Sequence, residues 1–366
     1  MKKKFYSLFI ISIFINLFSN SSISFSQGED SLSLIKNIKV SGYIDVYYAY
    51  DNDKNIFNSQ RLLSLISPYR DQIRLNIAQV SAKYTSEKMR GTFILHYGDI
   101  PLANWTPVTK FDMIQEANIG YSPYKNLWID AGYFVTHVGA EGLPKNNVLS
   151  SFSLPVFVEP FIQSGIKIGY DFSEKFFACL HVLNGYNVFE DNNKNKSLGM
   201  QLMYTPIETF KITYNNIIGN EMPAGTPGKT RVFNNLIFNI SPHKKVDIIA
   251  NFDLGIQEKS RFLDANATAY SYGSFISVRY KYTPKFSTTI RGEYYQDLDG
   301  ILSGYISDYD NWLKGNAVTV GCEYKPVESS YVRFEYRYIK LDEQLKIFYN
   351  NSNQRSEEMF TIGYEF

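Results

Sequence analysis

The stretch YVRFEYRYIK, residues 331–340, decides the reading of this chain. Val332, Phe334, Tyr336 and Tyr338 take every second position, with Arg333, Glu335 and Arg337 between them. Successive side chains of a β-strand point to opposite faces, so this segment has one apolar, aromatic face and one charged face. Many soluble sheets alternate in this way. What sets this chain apart is the amount of aromatic residue and how often the pattern returns.

Of 366 residues, 29 are Tyr and 27 are Phe. A soluble protein hides that many rings in a thick core. No window here carries a sustained 3.6-residue period, so no helical layer is available to cover them. Period-two segments recur instead, at 36–50, 70–84, 89–99, 111–121, 126–137, 160–172, 175–186 and 195–204. They continue at 209–219, 230–241, 245–257, 269–282, 286–297, 314–324, 330–341 and 356–366.

The connections alternate in length. Short ones fall at 85–88, 122–125, 173–174 and 205–208 and at Pro242, Pro284 and Pro326. Long ones fall at 51–69, 100–110, 138–159, 187–194, 220–229, 258–268, 298–313 and 342–355. Outer-membrane barrels have an even strand number, with short periplasmic turns and longer outside loops. In hydrocarbon every backbone N–H and C=O must be paired, so a sheet crosses only as a closed barrel. The expected fold is therefore all-β: a transmembrane antiparallel up-and-down β-barrel of about 16 strands, spanning 27–366 as a single domain.

Tyr84, Tyr121, Tyr170, Tyr204, Tyr282 and Tyr324 each end a segment just before a short turn, all on the apolar parity. Tyr settles where apolar matter meets water, so this row reads as an aromatic girdle at one membrane interface. The last segment, MFTIGYEF, alternates up to Phe366 and is expected to pair with the first. Two segments depart from the pattern. In 70–84 the apolar parity changes, which predicts a bulge near Ala78–Gln79. In 230–241, Asn234 falls on the apolar side.

Residues 1–26 read as a signal peptide. Lys2, Lys3 and Lys4 precede a mostly apolar run from Phe5 to Phe18, and Ser24 and Ser26 suit cleavage before Gln27. The run is too short to span a bilayer as a helix. Cleavage would leave 34 basic against 36 acidic residues, a balance that does not favour a nucleic-acid partner. Cys179 and Cys322 fall on opposite faces of distant segments and form no disulfide framework. His96 and His181 fall on the inward parity, and none of the four His has metal-ligand spacing to a neighbour. No cofactor is expected.

Several strings together resemble a known family. They are SGYIDVYYAYD at 41–51, RDQIRLNIAQ at 70–79, QEANIGY at 115–121 and DAGYFVTHVGAEG at 130–142, extended by LPVFVEPFIQSG at 154–165 and LNGYNVFEDNNKNKSLG at 183–199. The chain is similar to the OmpL-like outer-membrane β-barrel porins common in Bacteroidetes. The resemblance implies an outer-membrane location, porin activity and no catalytic or ligand residue to carry over. The aromatic C-terminus at Phe366 likewise resembles the signal read by the outer-membrane assembly machinery.

Parity selects the wall candidates. Asp45, Arg74, Glu116, Asn118, Asp130 and Lys167 fall inward along the first half. Asp253, Arg291, Glu293, Arg333, Glu335 and Arg337 do so along the second. A barrel of this strand number leaves an aqueous channel, whose selectivity follows from the charges on its wall. Both signs are present in similar numbers, which predicts weak ion selectivity. The same charges have a structural reading: they pair across strands and only wet the lumen. The longest connection, 138–159, is the candidate constriction loop, with Glu141 and Lys145 as its charges; the alternative is a loop on the outer surface.

The leading function is a non-enzymatic channel for small hydrophilic solutes in the outer membrane, with lipid as its surroundings and an oligomer left open. Two other classes compete. One is a structural or adhesive barrel plugged by its own loops. The other is an outer-membrane lipid hydrolase, which would need Ser and His within hydrogen-bond reach.

Overall fold

The period-two segments pair as one closed antiparallel sheet, described in a computed structural model over residues 36–54, 60–105, 113–191, 193–304 and 313–366. In chain order the strands are β1 (Ile38–Asp51), β2 (Ile73–Thr85), β3 (Met89–Tyr97), β4 (Ile114–Tyr124), β5 (Leu127–Val135) and β6 (Ile162–Ser173). Next come β7 (Phe176–Leu183), β8 (Ser197–Ile207), β9 (Phe210–Asn220), β10 (Thr230–His243) and β11 (Val246–Gln257). The last are β12 (Ala269–Lys281), β13 (Phe286–Asp297), β14 (Leu313–Tyr324), β15 (Ser330–Leu341) and β16 (Gln354–Glu365). Each pairs with its neighbour in sequence, and β16 closes on β1 from Tyr43↔Glu365 to Asp51↔Glu357. Gly42 and Phe366 complete the seam, exchanging backbone hydrogen bonds of 2.7 and 2.9 Å. The expected signal peptide, 1–26, lies outside the described residues.

Alternation sets what each face meets. On β15, Phe334 and Tyr336 are 47% and 43% exposed, whereas Arg333, Glu335 and Arg337 are buried within the barrel. Val320 lies directly across from Ile290 and from Tyr336, so exposed apolar side chains run from strand to strand around the outside. A patch of that extent marks a membrane-facing surface. Tyr121, Tyr170, Tyr204, Tyr282 and Tyr324 stand exposed at the end of the barrel that carries the short turns. Asn234 does face outward, as its parity predicts, where it accepts the Tyr214 hydroxyl at 2.7 Å.

Local departures have local causes. The phase change in β2 falls at Asn76–Ile77, two consecutive buried residues, rather than at Ala78–Gln79. Gly98 packs against this point: a Cβ there would sit 2.6 Å from the Asn76 carbonyl oxygen, and its φ of 137° suits glycine. β3 therefore ends at Tyr97, and a short helix, α1 (Asp99–Asn104), replaces the expected strand end and loop start. Three prolines expected in or beside the short turns, Pro123, Pro206 and Pro242, lie instead in the last residues of β4, β8 and β10. The register shifts there, at Tyr121/Tyr124, Tyr204/Ile207 and Ile240/His243. Proline has no N–H to give a ladder, so it is tolerated at such irregularities. The turns after these three strands are two residues long, as at Lys125–Asn126, where Asn126 takes φ 68°.

Not every inward residue is polar. Tyr43, Phe233, Tyr295, Tyr331 and Ile339 are buried inside the barrel with residues of the long loops. One cluster joins Tyr43 and Tyr331 to Ile66, Ile100, Trp105 and Phe152. A second joins Tyr295 and Ile339 to Leu154, Val158, Leu345 and Phe348.

Candidate functional site: the lumen and its inward loop

The connection between β5 and β6 does not run over the surface. Leu149, Ser150, Leu154 and Val156 are each 2% exposed or less, packed inside the barrel. Short 3-10 turns at Pro144–Asn146 and Pro155–Phe157 shape it, each begun by a proline whose missing N–H costs nothing there.

This loop is bonded to the wall formed by β13–β16. Arg291 donates to Glu141 at 2.6 Å and to the Ser151 carbonyl at 2.8 Å. Glu293 accepts the Leu154 N–H at 2.9 Å and holds both Arg291, at 2.9 Å, and Arg337, at 2.7 Å. Glu335 accepts the N–H of Ser150 and the N–H and hydroxyl of Ser151. Arg333 donates to the carbonyls of Pro144, at 2.8 Å, and Asn147, at 2.7 Å, while its other edge meets Glu323. At the loop tip Lys145 bonds Glu365 at 2.9 Å and Gln79 at 3.1 Å.

Cross-strand register explains why these charges meet. Arg291, Thr319, Arg337, Glu357 and Asp51 lie directly opposite one another on successive strands from β13 round to β1. Arg61, from the loop after β1, bridges Asp51 at 3.1 Å and Glu357 at 2.6 Å. Guanidinium groups are fitted to this role, since their planar forks bind two carboxylates or carbonyls at once.

The other wall candidates are engaged differently. Asp45 accepts the Asn76 amide at 2.7 Å and the Tyr331 hydroxyl. Arg74 grips Asp99 of α1 with two bonds, 2.6 and 2.7 Å. Arg90 grips Asp130 in the same manner. Asn118 donates to the Tyr133 carbonyl at 3.0 Å, and Lys167 stands 4.3 Å over the Phe134 ring. Asp253 accepts from Asn235 at 2.6 Å and from Asn251 at 3.0 Å. Glu116 lines open space.

The two roots of the inward loop carry titratable groups that alternation alone does not mark. His137 places its ring nitrogens 2.9 Å from Gln163 and 3.0 Å from the Asn216 carbonyl, stacked at 4.0 Å on His181. Burial holds its imidazole below the usual histidine range. Glu159 is fully enclosed and shares a hydrogen bond with Asp253 of β11. Burial, then the neighbouring Asp253, lifts the Glu159 carboxyl well above the usual carboxylate range. Gly139 makes room for it: with φ 93°, any Cβ there would strike the Glu159 carboxylate.

Opposite the bonded wall, space remains between loop and barrel. A chamber of about 400 Å³ lies against β2–β5, one of about 380 Å³ against β5–β8 and one of about 210 Å³ against β8–β10. Gly139 borders all three. Among the described residues no group of three or more His, Cys, Asp and Glu has metal-binding geometry.

An apolar exterior, a charged interior and a long loop folded into a closed 16-strand barrel define an outer-membrane porin-type barrel. The chain belongs to the family described as "Putative beta-barrel porin-2, OmpL-like", whose model matches residues 37–366. Its location is the outer membrane. Among solved structures it is similar to OprB of Pseudomonas putida, with TM-score 0.61, 11% identity and coverage of 93% of this chain and 96% of that one. It is similar to an anion-selective porin from Comamonas acidovorans, with TM-score 0.60, 8% identity and coverage of 90% and 99%. The outer membrane channel DcaP of Acinetobacter baumannii gives TM-score 0.59, 10% identity and coverage of 90% and 97%. At these identities the likeness is one of fold. No curated protein sequence matches the chain at a significant level.

Proposed function

We propose that the protein is a channel for small hydrophilic solutes, with the turn end of the barrel facing the periplasm. Solutes pass the chambers left between the inward loop and the β2–β10 wall. The loop is the constriction, and Glu141 and Lys145 act mainly by fastening it. One observation carries this reading: the loop is tied to β13–β16 by the buried Arg291–Glu141 pair and by hydrogen bonds to Glu293, Arg333 and Glu335, while chambers remain on the opposite side. Arg291, Arg333 and Arg337 are spent in buried pairs with Glu141, Glu323 and Glu293, which supports weak ion selectivity from the remaining wall charges, Lys167 and Glu116 among them. The role is transport rather than catalysis. Phe366 is read as the residue presented to the assembly machinery, and an oligomer is compatible with the related trimeric form of Vibrio cholerae OmpT.

The reading of a plugged barrel draws on the apolar clusters around Ile66, Trp105 and Phe348. Osmotic swelling of proteoliposomes separates the two. A channel admits small sugars at rates that fall with solute size; a plugged barrel leaves the vesicles as impermeable as protein-free ones.

A further inference from the structure

The chamber against β2–β5 has walls of two kinds. Trp105, Phe152, Phe161 and Val156 border it on one side, and Lys83 and Glu116 project into it from β2 and β4. A path for hydrophilic solutes has no need of the aromatic side. Trp105 is 3% exposed, edge-on to His96 at 4.5 Å and tilted against Phe161 at 6.2 Å. Its ring lines the chamber, but its indole N–H is closed off from solvent and has no hydrogen-bond partner among the described residues.

The polar side is unusual too. Glu141 is held by Arg291, Glu365 by Lys145 and Glu159 by Asp253. Lys83 and Glu116 form no salt bridge among the described residues, although each is within electrostatic reach of the other. Their places are set by register. Lys83 lies across from Thr92, which lies across from Asn118, and Glu116 is the next inward position along β4. Lys83 and Glu116 therefore share the chamber without an ion pair among the described residues; Glu116 accepts the Asn118 amide at 3.4 Å and lies in the field of Lys167 as well as of Lys83.

A simple anion would be drawn to Lys83 and repelled by Glu116, and a simple cation the reverse. A zwitterion satisfies both. In a free amino acid the two charges sit on one carbon, too close to reach groups that stand apart, whereas a dipeptide separates them. The space is within the range of small-ligand sites. Building on the channel reading above, we propose that this chamber is a binding subsite for apolar dipeptides. The carboxylate meets Lys83, the ammonium meets Glu116, and an apolar side chain lies against Trp105, Phe152 and Phe161.

The test uses full-length protein in two settings: ion-current block in planar bilayers and calorimetric titration in detergent. The probe is L-leucyl-L-phenylalanine, compared with its N-acetyl form, its C-terminal amide and glycylglycine. The free dipeptide is expected to bind and block at least ~10-fold more tightly than either capped form, with glycylglycine weaker still. Glu116→Gln should abolish the preference for the free amine over the acetyl form only. Lys83→Met should abolish the preference for the carboxylate over the amide only. This crossed pattern does not arise from general damage to the barrel. Equal affinity for all four compounds, or normal ion current with no binding, overturns the subsite and leaves the channel standing. Binding in detergent with a silent bilayer upholds the subsite and overturns the channel.

Discussion

Arg291 of β13 and Glu141 of the inward loop lie 2.6 Å apart, with the arginine side chain wholly buried. Glu293 holds the same guanidinium at 2.9 Å, so one cation serves two carboxylates, one on the wall and one on the loop. Breaking a buried pair by removing one partner costs about 3–5 kcal/mol, because the remaining charges stay buried and unpaired. Arg291→Met leaves Glu141 without a cation, while Glu293 keeps Arg337, and should destabilise the barrel by about that amount. Glu141→Gln leaves the Arg291–Glu293 pair intact and should cost less. Urea unfolding in detergent, followed by gel mobility, checks the order. Both variants should also free the loop and raise single-channel conductance.

Glu159 gives the protein a pH-dependent element. Its carboxyl is lifted well above its ordinary value of 4.5, first by burial and then by Asp253. The folded protein therefore holds a proton that the unfolded chain releases. Stability from this group is complete below the ordinary value and is lost as pH rises through the lifted one. Glu159→Gln mimics the protonated form and should flatten that decline above pH ~4.5, measured as the urea midpoint against pH.

Gly139 is irreplaceable on two grounds: its φ of 93° and the Glu159 carboxylate against its Cα. Gly139→Ala should destabilise by about 1–3 kcal/mol. Pairing it with Glu159→Ala removes the clash but not the backbone strain, so only part of the loss should return. A double-mutant cycle of unfolding free energies measures that part.

Much of this was legible in the strands, and little of it in the loops. Val332, Phe334 and Tyr336 betray their surroundings because lipid accepts only one kind of side chain on each face. Inward residues are less constrained. Tyr295, Tyr331 and Ile339 sit on the inner face because loop residues such as Phe152, Leu154 and Leu345 reach them. A strict rule of apolar outward misses them, since the rule holds for lipid and not for a lumen filled by loops. Glu323 and Glu357 share the inward parity of the wall candidates but are not named among them, and Arg355 lies before the expected segment 356–366. Arg61, which bridges Asp51 and Glu357, was not readable, because a loop residue has no parity. Nor did Glu159 or Trp105 carry any local signal; each acquires its role from residues more than 50 positions away or from the way the loop enters the barrel.

The outward face carries a prediction of its own. Val320, 49% exposed, lies near the middle of β14 between Ile290 and Tyr336. Val320→Arg should cost about 2–4 kcal/mol in a bilayer, as a charge at mid-depth does. Val320→Leu should be close to neutral. Equilibrium folding into lipid vesicles compares the two.

Single-channel recording in planar bilayers tests the central claim, that a hydrated path runs beside a tethered loop. The account predicts discrete current steps from the refolded protein, and larger steps from Glu141→Gln. A silent bilayer from correctly folded, heat-modifiable barrel, unchanged by Glu141→Gln, would contradict it.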